Sequence, residues 1–187
     1  MASIKLTGDT SGEIEVTVPA VAGTNKLTLP ASTGTVLTDT APKAGNVLQV
    51  VQGRTKTMVT SASPSAIDIG LEATITPSSI SSKILAICNI NGIFVSATVH
   101  SYVKSMLFRD STNVTGDVAA PYLSYPDAYN SAAVVRSGAQ TISYLDSPAT
   151  TSAVTYKIQA GVVGGATVNF QRDGQVYSTI QLMEIAG

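Results

Sequence analysis

The chain has 187 residues, of which 44% are apolar and 12% charged, and its net charge is -1; this is enough for one domain with its own core and a short appendage. Its eleven Lys and Arg residues are spread along the sequence, with Arg54 and Lys56 the one close pair. No basic stripe exists to neutralise a row of phosphates, so nucleic acid is not an expected partner. Ser and Thr make up roughly a quarter of the residues, Trp is absent and His occurs once, a profile that favours strands and turns over helices.

Taken in chain order, Met1 to Gly12 has neither a basic n-region nor an apolar h-region, and no window reaches the roughly 18 apolar residues of a membrane helix. No secretion signal and no membrane insertion are expected. Glu13 to Val18 alternates, placing Ile14, Val16 and Val18 on one face of a strand, and Lys26 to Leu29 does the same with Leu27 and Leu29. Thr17-Val18-Pro19-Ala20 with Gly23-Thr24 is repeated eleven residues on as Thr28-Leu29-Pro30-Ala31 with Gly34-Thr35. In each copy the proline ends a strand and the glycine permits a turn. Units this small bury their apolar face only against neighbours or partner chains, so residues 1–46 read as an arm closed by a linker from Asp39 to Asn46, with Pro42 and Gly45.

Residues 47–187 read as a strand-rich head. Val47 to Gln52 is its first strand, and Ile67, Ile69, Leu71, Ala73 and Ile75 share one face of the next. After a break at Pro77 to Ser82, Lys83 to Ile90 is a nearly continuous apolar strand of the kind buried in a sandwich. Ile93 to Val99, Tyr102 to Phe108, Ala132 to Arg136, Gln140 to Leu145, Ala153 to Val163, Ala166 to Gln171 and Gln175 to Ile185 follow, with Asp173-Gly174 a two-residue hairpin signal between the last two. The one weak helical candidate is Asp127 to Val135. Eight to ten strands in about 140 residues suggest an all-β fold, a short β arm followed by an antiparallel β-sandwich of jelly-roll type.

Two sets of segments resemble known proteins. Gly8-Asp9-Thr10-Ser11-Gly12, Pro19 to Asn25, Leu27 to Pro30 and Thr35 to Thr38 resemble an arm common in fibre-like structural proteins of tailed bacteriophages. Gly45 to Gln52, Ile75 to Ser79 leading into Ser82 to Leu85, Tyr144 to Pro148 leading to Thr155 to Lys157, and Ser178 to Ile185 resemble domains at the C-terminal ends of such proteins. The resemblance implies a virion exterior protein whose head is a jelly roll assembled as a homotrimer, similar in outline to heads of the TNF and C1q type. The expected partners are other virion proteins of capsid or tail and, for an adhesin, a host surface glycan or protein. No long shaft or separate anchoring domain is recognisable, which favours a head-decoration (cement) protein or short fibre over a long adhesin.

The residues give little basis for catalysis. His100 has no second histidine and no Gly-x-Ser-x-Gly elbow beside it, and Gly161 to Gly165 lacks the Lys-Ser/Thr ending of a phosphate loop. Asp110, Asp117 and Asp127 in and beside the longest irregular stretch read as solvated turn residues before a glycan-cleaving pair or a calcium site. The lone Cys88, inside an apolar run, reads as core and can form neither an intrachain disulfide nor, with one His, a zinc cage. No catalytic residue, metal or cofactor is therefore expected, and a polysaccharide depolymerase is the least favoured function. The loop Gly116 to Ser131 concentrates Tyr122, Tyr125 and Tyr129, three of the seven tyrosines, with Pro121 and Pro126. Tyrosine suits contacts with protein or sugar, so these three are the candidate binding residues.

Overall fold

The computed structural model describes residues 3–8, 10–17, 23–24, 42–97, 101–115, 122–124 and 134–187. They fall in two compact units, Met1–Val36 and Leu37–Gly187.

In the first unit, β1 (Ser3–Thr7) and β2 (Glu13–Thr17) form an antiparallel hairpin. Its register sets Ile4 opposite Val16 and Leu6 opposite Ile14, with Lys5 opposite Glu15 and Thr7 opposite Glu13 on the other face. The connection closes by the Gly8 amide donating to the Gly12 carbonyl at 3.0 Å, with Gly12 at φ 81. Nearly all of the Pro-Ala-x-x-Gly-Thr repeat, the strand expected at Lys26 to Leu29 and the start of the expected linker lie outside the described residues.

The second unit is the all-β sandwich expected from the sequence. Its strands are β3 (Val47–Thr55), β4 (Val59–Ser61), β5 (Ile67–Ile75), β6 (Lys83–Ala97), β7 (Tyr102–Arg109), β8 (Thr112–Asn113), β9 (Tyr122–Ser124), β10 (Val134–Asp146), β11 (Val154–Val163), β12 (Thr167–Phe170) and β13 (Ser178–Ile185). One sheet runs β3-β13-β6-β10, with β12 and β4 continuing beyond β13 on the same side of β6. The other runs β5-β11-β7, with β8 and β9 both on the free side of β7. Successive long strands alternate between sheets, so the last strand lies between the first and the third, the order of a jelly roll.

Period-2 alternation explains the core. Ile84, Ala86, Cys88 and Ile90 of β6, Ile180 and Leu182 of β13 and Ile142 of β10 face Ile69, Leu71 and Ile75 of β5, Tyr156 and Ile158 of β11 and Leu107 of β7. Each fully buried side chain of this size contributes about 2 kcal/mol.

Three sequence expectations change. From Val134 on, Ala132 to Arg136 and Gln140 to Leu145, expected as two strands, are parts of one strand, β10, which also takes in Val134 and Val135 from the end of the helical candidate. The runs Lys83 to Ile90 and Ile93 to Val99 are parts of one strand, joined at Asn91-Gly92 by a bulge. Gln140 pairs with Ile90 and Gly138 with Ile93, so two residues of β6 oppose one of β10. The inward side chains therefore switch from even to odd positions, Ile90 to Ile93. Asp173-Gly174 is not a hairpin, because β12 and β13 pair end to end with the same side of β6 and not with each other. Their link is a short 3-10 turn, Arg172–Gly174, that crosses the bulge. The end of the expected linker joins the head: the Gly45 amide donates to the Ala186 carbonyl and the Ala186 amide to the Asn46 carbonyl, both at 2.8 Å.

Candidate functional site

Among the described residues, those singled out for chemistry do not converge. Cys88 is fully buried, and burial pushes its thiol up to about 12, which removes it as a nucleophile. Asp110, at φ 52, holds a turn by accepting the Thr155 amide at 3.0 Å. Gly161 lies inside β11, and Gly164 and Gly165 form the turn after it. His100, Asp117 and Asp127 lie outside the described residues, as do Tyr125 and Tyr129; Tyr122 opens β9, opposite Lys104. Among the described residues, no group of three or more His, Cys, Asp and Glu could hold a metal ion.

Chemistry is concentrated instead where the chain enters the head. On the inward face of the first sheet one cross-strand row reads Gln49, Glu184, Ile84, Asp146. Glu184 is fully buried and has only neutral donors: the Ser78 amide at 2.7 Å, the hydroxyls of Ser78 and Ser82 at 2.6 Å each, and Gln49 Nε2 at 2.6 Å. Burial alone would raise its pKa, but these hydrogen bonds outweigh it and hold the carboxyl down at about 2. Gln49 also donates to the Thr76 carbonyl at 2.7 Å. One carboxylate thus ties the first strand, the last strand and the β5–β6 connection together.

At the other end of the row, Asp146 accepts the Tyr156 hydroxyl at 2.7 Å and Arg109 Nη1, joining β10 of one sheet to β11 and β7 of the other. Burial, then the hydrogen bond to Asp146 and its negative charge, push the Tyr156 hydroxyl well above its usual range. Between these two clusters Ile84 is sealed from solvent. The Asp-Tyr-Arg cluster has every charge engaged, which is the arrangement of a structural lock.

The two outer faces of the sandwich differ in kind. Outside β5-β11-β7, Lys157 Nζ and Gln159 Nε2 donate to Asp68 at 3.1 and 2.9 Å, Thr74 and Thr155 share a hydrogen bond at 2.8 Å, and Glu72 lies opposite Lys157. That face is built for water. Outside β3-β13-β6-β10, one row reads Val50, Met183, Leu85, Leu145 and the next Gln52, Gln181, Ile87, Ser143. Val50 is 58% and Leu145 50% exposed. No charge interrupts this band between Lys83 at one end and Arg54 at the other.

Beyond the band lies a cluster of cations and rings. Arg54 Cζ is 5.0 Å and Lys56 Nζ 5.7 Å from the centre of the Tyr177 ring, and Arg172 Cζ is 3.3 Å from that of Phe94. The hairpin of the first unit presents a third surface, with Ile4 65%, Leu6 59% and Val16 48% exposed on one face. No protein-family model and no curated protein matches the chain.

Part of this arrangement was legible before folding. Arg54 and Lys56 stood out as the one close basic pair, and they fall at the end of β3 and just beyond it. Nothing local links them to Tyr177, which reaches them only through the β3–β13 pairing. The Glu184 network had a partial signal, a carboxylate at an inward position of Ser178, Ile180, Leu182, Glu184.

Proposed function

We propose that the chain is a non-enzymatic structural protein of the exterior of a tailed-bacteriophage virion, a head-decoration protein or short fibre that attaches through its N-terminal arm and displays a jelly-roll head assembled as a trimer. The observation that carries this reading is the contrast between the two outer faces. A solvated sheet face resembles the one around Asp68 and Lys157, whereas the uncharged band around Val50, Met183, Leu85 and Leu145 is suited to burial against another copy. The number three comes from the resemblance of the sequence to trimeric virion heads. The arm is supported in the same way: a two-stranded hairpin with one exposed apolar face is not stable alone and gains stability by packing on a neighbouring subunit.

The test is deletion of residues 1–38. The remaining head should stay folded and trimeric by circular dichroism and light scattering, and should no longer bind virions lacking the protein. A truncated head that still decorates particles would refute the role given to the arm.

A receptor-binding adhesin is the second reading, favoured by the cluster of Arg54, Lys56, Tyr177, Arg172 and Phe94. Location separates the two. Many copies across the capsid lattice accord with decoration, and a few trimers at the tail with adsorption.

A further inference from the structure

We propose that the end of the head away from the chain entry is a binding site for an acidic saccharide, with Tyr177 as the stacking surface and Arg54, Lys56 and Arg172, itself braced on the Phe94 ring, as carboxylate partners. The proposal rests on the adhesin reading, in which this end of the head is displayed.

The two half-sites are held by one scaffold. The loop from Gln171 to Tyr177 is seated on the β6 bulge, where a Cβ on Gly92 would lie 2.5 Å from Val176 Cγ2 and 2.9 Å from the Arg172 amide nitrogen. Beneath it, Ser178 Oγ, fully buried, accepts from the Asn91 amide at 2.9 Å and from Gln171 Nε2 at 2.8 Å. Asn91 Nδ2 donates to the Tyr177 carbonyl at 2.8 Å, and the Gln171 amide to the Asn91 carbonyl at 3.2 Å. Gln171 at φ 49 and Asp173 at φ 62 are non-glycine residues in the left-handed region, and these contacts hold the loop in that one shape.

The chemistry selects the ligand class. Tyr177 remains 43% exposed although two cations flank its ring, so the ring and both charges are presented together. Asp173, 3.4 Å from Arg172 Nε, offsets one of the three positive charges and leaves an excess for an anion. The adjoining row carries a neutral hydroxyl and amide, Thr179 and Asn89. A sugar acid uses all three features: its apolar ring face stacks on an aromatic ring, its carboxylate meets Arg or Lys, and its hydroxyls meet amides. Three cations at one end of a chain with a net charge of -1 cannot track a phosphate backbone.

The full-length protein is titrated calorimetrically with a galacturonate hexamer and a sialic acid hexamer, with maltohexaose and a single-stranded oligonucleotide as controls. At least one acidic hexamer should bind saturably, more weakly as salt rises, and maltohexaose should not. R54Q/K56Q and Tyr177→Ala should each weaken binding roughly tenfold or more, and Tyr177→Phe should retain it. Failure of both acidic hexamers to bind, binding unchanged in R54Q/K56Q and Tyr177→Ala, or equal affinity for the oligonucleotide would overturn the proposal. Immunogold labelling of the protein on particles tests the display reading separately, because the titration uses purified protein alone.

Discussion

Glu184 is the residue on which most of the entry end depends, because its four donors come from two separate stretches of chain, β3 and the β5–β6 connection, and none of them is a cation. Its folded pKa of about 2 lies below its ordinary value of 4.5. The stability it contributes is therefore complete above pH 4.5 and is lost as pH falls from there toward 2. Glu184→Gln should cost about 2 kcal/mol at neutral pH, since an amide cannot accept from all four donors without turning an N–H toward one of them. In urea titrations the gap between the two proteins should narrow below pH 4.5; a gap constant down to pH 2 would contradict the assignment. Tyr156→Phe should cost about 1–2 kcal/mol by removing the hydroxyl that Asp146 accepts, read from the same unfolding midpoints. The inward positions of Glu184 and Tyr156 were legible in the alternation of their strands. Their partners were not, because Ser78 and Ser82 sit in a serine-rich break that reads locally as a solvated turn, and Asp146 reaches Tyr156 only when two sheets stack.

At the scale of elements, the bulge at Asn91-Gly92 organises one side of the sandwich. It inverts the inward parity of β6, lets β13 and β12 share one side of that strand in succession, and seats the Arg172–Gly174 turn. Gly92, at φ 62, has no room for a side chain, so Gly92→Ala should cost about 3 kcal/mol, combining left-handed backbone strain with displacement of the loop. A change below about 1 kcal/mol in the urea midpoint would show that the loop is not seated as described. Strands whose alternation is uninterrupted were legible almost to the residue: β5 runs from Ile67 to Ile75 as its pattern requires, and β11 begins one residue inside its expected range. Where pairing is short, the signal failed. β4 and β8 span three and two residues, too few for any period to register, and β1 offers only Ile4 and Leu6 between polar neighbours. The Asp173-Gly174 signal was misleading for the opposite reason, since a turn-forming dipeptide says that the chain bends and not which strands then pair.

On the scale of the whole molecule, the composition that excludes so much chemistry also marks a surface. Sparse charge is unevenly distributed, with Asp68, Glu72 and Lys157 on one outer face and none in the band from Val50 to Leu145 on the other. The run Lys83 to Ile90 reads from its sequence as a nearly continuous apolar strand with no outer face marked, and only the register of four strands aligns Leu85, Ile87 and Met183 into adjacent outward rows. That alignment separates scattered exposed side chains from an interface. Met183→Glu should leave the fold within about 1 kcal/mol of its original stability, because the side chain points outward, while placing a charge at the centre of the band. The most direct measurement is the mass of the full-length protein in solution by sedimentation equilibrium. The native protein should sediment at three times the 19.2 kDa chain mass and Met183→Glu at 19.2 kDa; a native protein that sediments at 19.2 kDa, or a variant that stays assembled, would contradict the proposed interface.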